Sequence, residues 1–196
     1  MNIMKKKYWV AIVIALVLAA IVGPYMGVRT SHNPEVHEGD VIFQTSKSRQ
    51  SPLIAAATLS PITHCGVIVM KNGKPYVLEA GGIVKLTPLD RFIDRGLWGM
   101  YWVKHPEQGD ANMKLKYRNV LGTPYDLAFD MNNRKYYCSE LVYDLYLKQY
   151  NTQSCEPTPI GSRLTWGMGD EMKRRGMDLK SLAVSPKDIF FSSHLD

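Results

Sequence analysis

The sequence lacks the residue spacings that are typical of a metal site or a nucleic-acid surface. Its 196 residues include three cysteines and five histidines, but no Cys-x-x-Cys, no His-Glu-x-x-His and no closely paired histidines. Lysine and arginine number 24 against 18 acidic residues, a net charge of +6, yet no basic cluster is interleaved with aromatic residues. We therefore predict no nucleic-acid partner, no cofactor and no metal. Internal repeats and low-complexity stretches are also absent.

A targeting segment explains part of the positive charge. Lys5, Lys6 and Lys7 lie in the first seven residues with no acidic residue among them, so the rest of the chain carries +3 of the +6. An uncharged apolar run, residues 8–22, follows them, as in a signal sequence or a membrane anchor. The run is shorter than the ~20 residues of a spanning helix. No clean small-x-small cleavage site follows it, so cleavage and retention both stay open.

These features divide the chain into three parts. Residues 1–23 are predicted to be the signal sequence or anchor, residues 24–37 a polar linker, and residues 38–196 one domain of ordinary size. We expect this domain to be exported across the cytoplasmic membrane, and to be either anchored in the cell envelope or secreted, for example into the periplasm. One apolar run is too few for a multi-span membrane protein. The oligomeric state stays open.

The clearest local prediction is a β-hairpin. Two runs of β-forming residues flank Asn72-Gly73, the strongest short hairpin signal. With these two as the turn residues, the numbers of cross-strand partners add up to 145, so Gly66 faces Glu79. Because side chains alternate between the two faces of a sheet, Glu79 then lies one diagonal step from His64 on the same face. The turn therefore predicts a His64–Glu79 pair.

The remaining patterns predict an α+β domain built on a small antiparallel sheet. Strand-like segments cluster in the first half of the chain, with helical segments around them. Ser51 is predicted to cap a helix that begins at Pro52. A further helix is predicted after Tyr137, where apolar positions recur at helical spacing, and Cys138 is in phase with it.

Cys138 is the candidate nucleophile. A helix N-terminus next to a histidine lowers the pKa of a thiol, and first-turn N–H groups can hold an oxyanion. Glu79 would fix the tautomer of His64 and leave the other ring nitrogen to take the thiol proton. Two alternatives remain: a buried structural cysteine beside a satisfied core histidine, or a metal bound by these three side chains.

The other two cysteines are weaker candidates. Cys65 is expected to point to the face opposite His64 and to pack in the core, and Cys155 lies in a predicted loop. Three cysteines form at most one disulfide within a chain, so either a Cys65–Cys155 bond or two free thiols is allowed. Four further histidines are interpreted as surface residues: His32, His37, His105 and His194.

Six short segments follow one another after the linker: residues 39–43 (GDVIF), 63–67 (THCGV), 77–80 (VLEA), 122–126 (GTPYD), 137–142 (YCSELV) and 185–190 (SPKDIF). In sequence and order they resemble the YaeF/YiiX family, a circularly permuted branch of the NlpC-type papain-like cysteine peptidases and amidases. The resemblance implies a permuted papain-like fold whose sheet packs on the helix that begins at the nucleophile. It implies Cys138, His64 and Glu79 as catalytic residues. It also implies that Tyr125 lines the substrate pocket; a turn-anchoring aromatic is the alternative.

This resemblance favours a cysteine hydrolase that cleaves an amide bond through a thioester acyl-enzyme. The predicted export makes cell-wall peptides or small amino-acid amides the leading substrates, by analogy. A lipid acyltransferase or deacylase of the same superfamily is the alternative enzyme, since an uncleaved anchor would place the domain beside lipid. A non-catalytic amino-acid-binding module is the alternative without turnover.

Overall fold

A computed structural model describes residue 9 and residues 12–16, 23–32, 34–106, 117–145, 155–163, 168–193 and 195. Most of the predicted targeting run, residues 8–22, lies outside these ranges. Within them, no helix has both the length and the apolar character needed to cross a membrane.

The centre of the fold is a five-stranded antiparallel sheet with the strand order β4-β3-β2-β1-β5. The described residues also form five α-helices, three short 3-10 helices and a small pair of strands, β6 and β7, which confirms the predicted α+β class. The strands are β1 Val41–Ser46, β2 His64–Lys71, β3 Lys74–Gly81, β4 Ile83–Pro88, β5 Gly96–Lys104, β6 Thr158–Pro159 and β7 Leu182–Ala183. The helices are α1 Ser51–Thr58, α2 Leu89–Asp94, α3 Cys138–Leu145, α4 Met168–Arg174 and α5 Pro186–Phe190.

The β2–β3 hairpin has the register that its turn predicts. Lys71 pairs with Lys74 and Val67 with Leu78. Asn72 and Gly73 both have positive φ, +51° and +71°, as the tight turn of a twisted hairpin requires. The register therefore follows from two residues of local sequence.

The two faces of the sheet are both covered, and each carries a different helix. On one face, Leu78 and other buried side chains pack against α3 and α5 in the larger apolar core. On the other face, Ile68 and Val77 pack against Phe92 of α2. β2 therefore lies between two layers of helices. Its first residue, His64, is at one end of the sheet, and the candidate site lies there.

The segment predicted to be a linker covers the edge strand β5. Arg29 pairs with Tyr101 through two backbone hydrogen bonds of 2.8 and 3.0 Å. The Trp102 indole N–H donates to the Tyr25 carbonyl at 2.8 Å, and the Tyr25 ring stacks on Phe190 of α5. An edge strand otherwise presents free N–H and C=O groups, and this segment satisfies some of them.

The predicted cap of α1 is wrong. Gln50 occupies the N-cap position and makes no capping hydrogen bond through its side chain, while Ser51 is already the first helical residue. The Ser51 hydroxyl donates instead to Ser46 and accepts from Thr63, each at about 3 Å. These bonds tie α1 to the ends of β1 and β2, so tertiary contacts replace the local cap.

Candidate active site

Cys138 is the first residue of α3 and is 1% exposed. The helix forms there because Cys138, Leu141 and Val142 lie at positions i, i+3 and i+4, so all three side chains share one face and are buried in the larger core. The Leu141 N–H donates to the Tyr137 carbonyl at 3.0 Å, which closes the first turn. The thiol therefore lies at the positive end of a helix, where a thiolate is favoured.

His64 and Glu79 form a short, buried hydrogen-bonded pair. The His64 Nε2–H donates to Glu79 Oε2 at 2.6 Å, and the imidazole stacks on Phe92 at a centroid distance of 5.5 Å. The second carboxylate oxygen, Oε1, accepts from the Thr87 hydroxyl and from the Arg95 guanidinium. Because Nε2 is committed to Glu79, Nδ1 is the ring nitrogen left for chemistry.

Cys138 interacts with two side chains of neighbouring residues on β2. The hydrogen bond from the Cys65 thiol is the largest effect on the Cys138 pKa, and with the charge of His64 it outweighs burial and holds that pKa well below its usual range. Burial alone would lower the pKa of His64, but the charge of Cys138 and the bonds to Cys138 and Glu79 raise it to about 9. Both shifts favour a thiolate beside an imidazolium.

Glu79 remains charged although it is fully buried. Burial opposes this charge, but the hydrogen bond and charge of His64, followed by Arg95 and Thr87, lower the pKa of Glu79 to about 2. A buried carboxylate with every oxygen paired avoids the cost of an unsatisfied charge. The carboxylate is therefore available to stabilise an imidazolium over the whole physiological pH range.

Several contacts of this site are not predicted by the sequence. Cys65 does point to the core face opposite His64, as expected, but there its thiol meets Cys138 rather than apolar groups alone. Thr87 shares a face with Glu79 because β4 pairs in register with β3, a signal that the first hairpin alone does not contain. Arg95 follows α2 and reaches Glu79 only through the tertiary fold.

None of the three cysteines forms a disulfide in this structure, and all three are buried. Burial raises the pKa of the Cys65 thiol well above its usual value, so Cys65 stays protonated and donates. Of the two arrangements that the sequence allows for Cys65 and Cys155, the structure contains the unbonded one.

A polar cleft opens beside His64. Gln44 pairs across the strands with His64, is fully buried, and has no hydrogen-bond partner for its amide within the part of the chain that the structure describes. Tyr125 lines the same cleft, while its backbone N–H donates to the Gly82 carbonyl at 2.9 Å, so its position is fixed by the turn. Three cations also line the cleft: Lys47, Arg49 and Arg95.

An apolar pocket opens beside Cys138. Its empty volume is about 580 Å³, including its open mouth, and its wall is almost wholly apolar. The pocket lies between α1 and the chain segments that contain α4 and α5, and Cys138 forms part of its lining. Six of its apolar lining residues are Leu53, Ile54, Ala57, Phe129, Met172 and Val184. Cys138 lines this pocket, His64 lines the polar cleft, and Ile54 contributes to the walls of both.

Metal-ligating side chains come together elsewhere. Among the described residues, three such donors lie within 4.8 Å of one another only at His37, Asp40 and His105. The sequence gives these histidines no spacing that predicts a site, because His37 precedes β1 and His105 follows β5. The antiparallel pairing of β1 with β5 brings them together.

The sequence of residues 35–194 matches the family described as permuted papain-like amidase enzymes, YaeF/YiiX, C92. The chain is 35% identical to the uncharacterized protein YiiX of Escherichia coli strain K12 over 167 residues, 80% of this chain and 83% of that one. A crystal structure of YiiX from Escherichia coli O157:H7, described there as a metalloprotein, superposes with a TM-score of 0.75 at 34% identity. It covers 82% of this chain and 94% of the other. The predicted permuted papain-like fold is thereby confirmed, and the chain belongs to the YaeF/YiiX family of permuted papain-like amidases.

Proposed function

We propose that this protein hydrolyses an amide bond with a Cys138–His64–Glu79 triad. The observation that carries the proposal is the 2.6 Å bond between His64 and Glu79, next to a helix-terminal thiol whose pKa is lowered. Glu79 orients the imidazole and stabilises its charged form, as the third residue of a triad does. Family membership supports an amidase or cysteine peptidase, and the assignment of the three roles is our proposal.

In the first half-reaction, the Cys138 thiolate attacks the carbonyl carbon of the amide, and a carbon–sulfur bond forms as the carbonyl oxygen becomes an oxyanion. N–H groups at the start of α3 would hold that oxyanion. His64 then gives the Nδ1 proton to the leaving nitrogen as the carbon–nitrogen bond breaks. A thioester and a free amine result.

In the second half-reaction, His64 is neutral and acts as a base. Its Nδ1 takes a proton from water, the resulting hydroxide equivalent attacks the thioester carbonyl, and the carbon–sulfur bond breaks. A carboxylic acid leaves, and the thiolate–imidazolium pair is restored. Glu79 stays ionised throughout, because its pKa of about 2 lies far below that of the imidazole it stabilises.

The leading substrates are cell-wall peptides or small amino-acid amides. The part of the substrate on the amine side of the scissile bond is proposed to bind in the polar cleft. The polar cleft beside His64 supports this side of the proposal, because the unpaired Gln44 amide and nearby cations suit polar and anionic groups. Tyr125, which lines the cleft, is proposed to contact the substrate there. The domain would meet such substrates after export to the cell envelope, where its N-terminal segment either is cleaved or anchors it.

A second candidate, lipid deacylation or acyl transfer, is favoured by the apolar pocket at Cys138. In the thioester the acyl group is attached to the sulfur of Cys138, and since Cys138 lines that pocket, the acyl chain would extend into it. A wall with almost no polar surface suits an alkyl chain better than a peptide, whose amides would lose hydrogen bonds to water.

One experiment separates these candidates. The purified protein is incubated with defined cell-wall peptides, amino-acid amides and acylated lipids, and covalent adducts on Cys138 are identified by mass spectrometry. A peptidyl adduct supports the first candidate, and a fatty-acyl adduct supports the second. Cys138→Ala removes the adduct and the products, while the control Cys155→Ala, at another buried cysteine outside any disulfide, retains both.

The triad assignment fails if Cys138→Ala retains full activity on any substrate that the wild type cleaves. The binding-module alternative predicts instead that Cys138 reacts with iodoacetamide no faster than an ordinary thiol. An activated thiolate reacts well below neutral pH.

A further inference from the structure

We propose that His37, Asp40 and His105 bind a divalent transition-metal ion of the zinc class. The three side chains come from two parts of the fold: His37 and Asp40 lie three residues apart in the segment before β1, and His105 follows β5. Two imidazoles with one carboxylate form a donor set that zinc accepts, with a fourth position left for water. The site is separate from the candidate active site.

The donor atoms have separations that suit one shared ion. His105 Nδ1 lies 2.8 Å from Asp40 Oδ1, and His37 Nδ1 lies 3.8 Å from Asp40 Oδ2. All three donors lie within 4.8 Å of one another. Metal bonds of about 2.0–2.2 Å in a tetrahedral site separate the donors by roughly 3.3–3.5 Å. The two observed distances, 2.8 Å to Oδ1 and 3.8 Å to Oδ2 of the same carboxylate, lie on either side of that value, and rotation of the three side chains would bring one set of donors around the ion.

A hydrogen-bonded cluster without metal explains only part of this geometry. The Asp40 carboxylate accepts the His37 backbone N–H at 2.7 Å and the His105 ring N–H at 2.8 Å, and these bonds account for two of the three side chains. The His37 ring plays no part in them. Its Nδ1 nevertheless turns toward the carboxylate at 3.8 Å, too far for a hydrogen bond and suitable for a cation between the two groups.

Burial and exposure also fit a metal site. The Asp40 side chain is 2% exposed, so its negative charge lies in a poorly solvated place where a dication is strongly attracted. The imidazole of His37 is 68% exposed and that of His105 is 44% exposed, which leaves a path for the ion and for a water ligand.

The bound ion would join the N-terminal segment to the sheet. His37 follows the stretch in which Arg29 pairs with Tyr101, and His105 is the residue after β5. A metal ion bound by both histidines would hold the end of this N-terminal segment against the end of β5. Asp40 lies four residues before Gln44, the strand partner of His64, so the ion sits about 13 Å along the strand from the candidate active site. Its expected role is structural.

The test uses the full chain without a histidine tag, freed of metal with EDTA and titrated with Co²⁺ as a spectroscopic substitute for Zn²⁺. We expect one equivalent to bind, with visible ligand-field absorption, no near-ultraviolet band from thiolate-to-cobalt charge transfer, and displacement by Zn²⁺. His37→Gln should weaken Co²⁺ binding at least tenfold and abolish the rise in melting temperature with Zn²⁺. Because His37 is exposed, this variant leaves the core untouched.

The matched control is His32→Gln, at an exposed histidine that pairs with Asp94 instead. It should bind Co²⁺ like the wild type, and so should Cys138→Ala. The proposal is overturned by the absence of stoichiometric Co²⁺ binding, by a thiolate charge-transfer band that Cys138→Ala removes, or by equal losses in His37→Gln and His32→Gln.

Discussion

Glu79→Gln tests the electrostatic core of the proposed site. The amide keeps the shape of the carboxylate but removes the charge 2.6 Å from His64, and it leaves the Arg95 guanidinium close to the imidazole without its partner. The pKa of His64 now stands at about 9 against an ordinary value of 6.5, a difference worth about 3 kcal/mol. The charge of Cys138 contributes most to this rise and Glu79 contributes the remainder. An opposite charge at such range shifts a pKa by about 1–3 units.

We therefore expect the thiolate of Cys138 to form at a pH at least about one unit higher in Glu79→Gln than in the wild type. The assay is the rate of iodoacetamide alkylation at Cys138 as a function of pH, with the modified residue identified by mass spectrometry. Glu171→Gln provides the control, because Glu171 lies on α4, away from the site, and forms an exposed ion pair with Arg175. An unchanged midpoint, or one that moves to lower pH in a folded variant, would refute the reasoning.

Three further predictions follow from contacts around the site. Cys65→Ala should raise the pH at which Cys138 becomes reactive, whereas Cys65→Ser, which keeps a donor, should restore most of the reactivity; equal alkylation profiles would contradict this role. Gly66→Ala should lower the free energy of unfolding measured in urea by about 1–3 kcal/mol, because the added Cβ would lie 2.5 Å from Val77 Cγ1. Gly23→Ala is the control, because a Cβ added at Gly23 meets no atom within 4 Å. Folding lowers the pKa of Glu79 from 4.5 to about 2, so its ionised form contributes up to about 3 kcal/mol to the free energy of unfolding. This contribution is complete above pH 4.5 and is lost as the pH falls toward 2. The unfolding free energies of wild type and Glu79→Gln should therefore converge over that range.

The sequence predicts the His64–Glu79 pair because a two-residue turn fixes the register of a whole hairpin. Once Asn72 and Gly73 are the turn, every cross-strand partner follows, and the strand period of two assigns the faces. Cys138 is predicted for a similar reason, since helical spacing after Tyr137 places the thiol at a helix start. Both predictions rest on interactions between residues close in sequence.

The features that the sequence does not predict depend on residues far apart in the chain. Arg95 reaches Glu79 only because α2 returns along the sheet, and no local pattern encodes that contact. Asp40 and His105 are 65 positions apart and meet through the pairing of β1 with β5. Ser51 shows the converse, because a good local capping residue is used instead for tertiary hydrogen bonds.

The stacking of His64 on Phe92 restricts how protons travel in the proposed reaction. The ring is held flat against an aromatic neighbour and its Nε2 is bonded to Glu79, so one nitrogen must serve both half-reactions. The departing amine and the incoming water would then use the same side of the imidazole in turn. Whichever nucleophile next occupies the polar cleft would set the outcome: water gives hydrolysis, and a second amine gives transfer of the acyl group. The time that the amine product stays in the cleft would therefore decide between hydrolysis and acyl transfer, because water cannot enter until the amine has left.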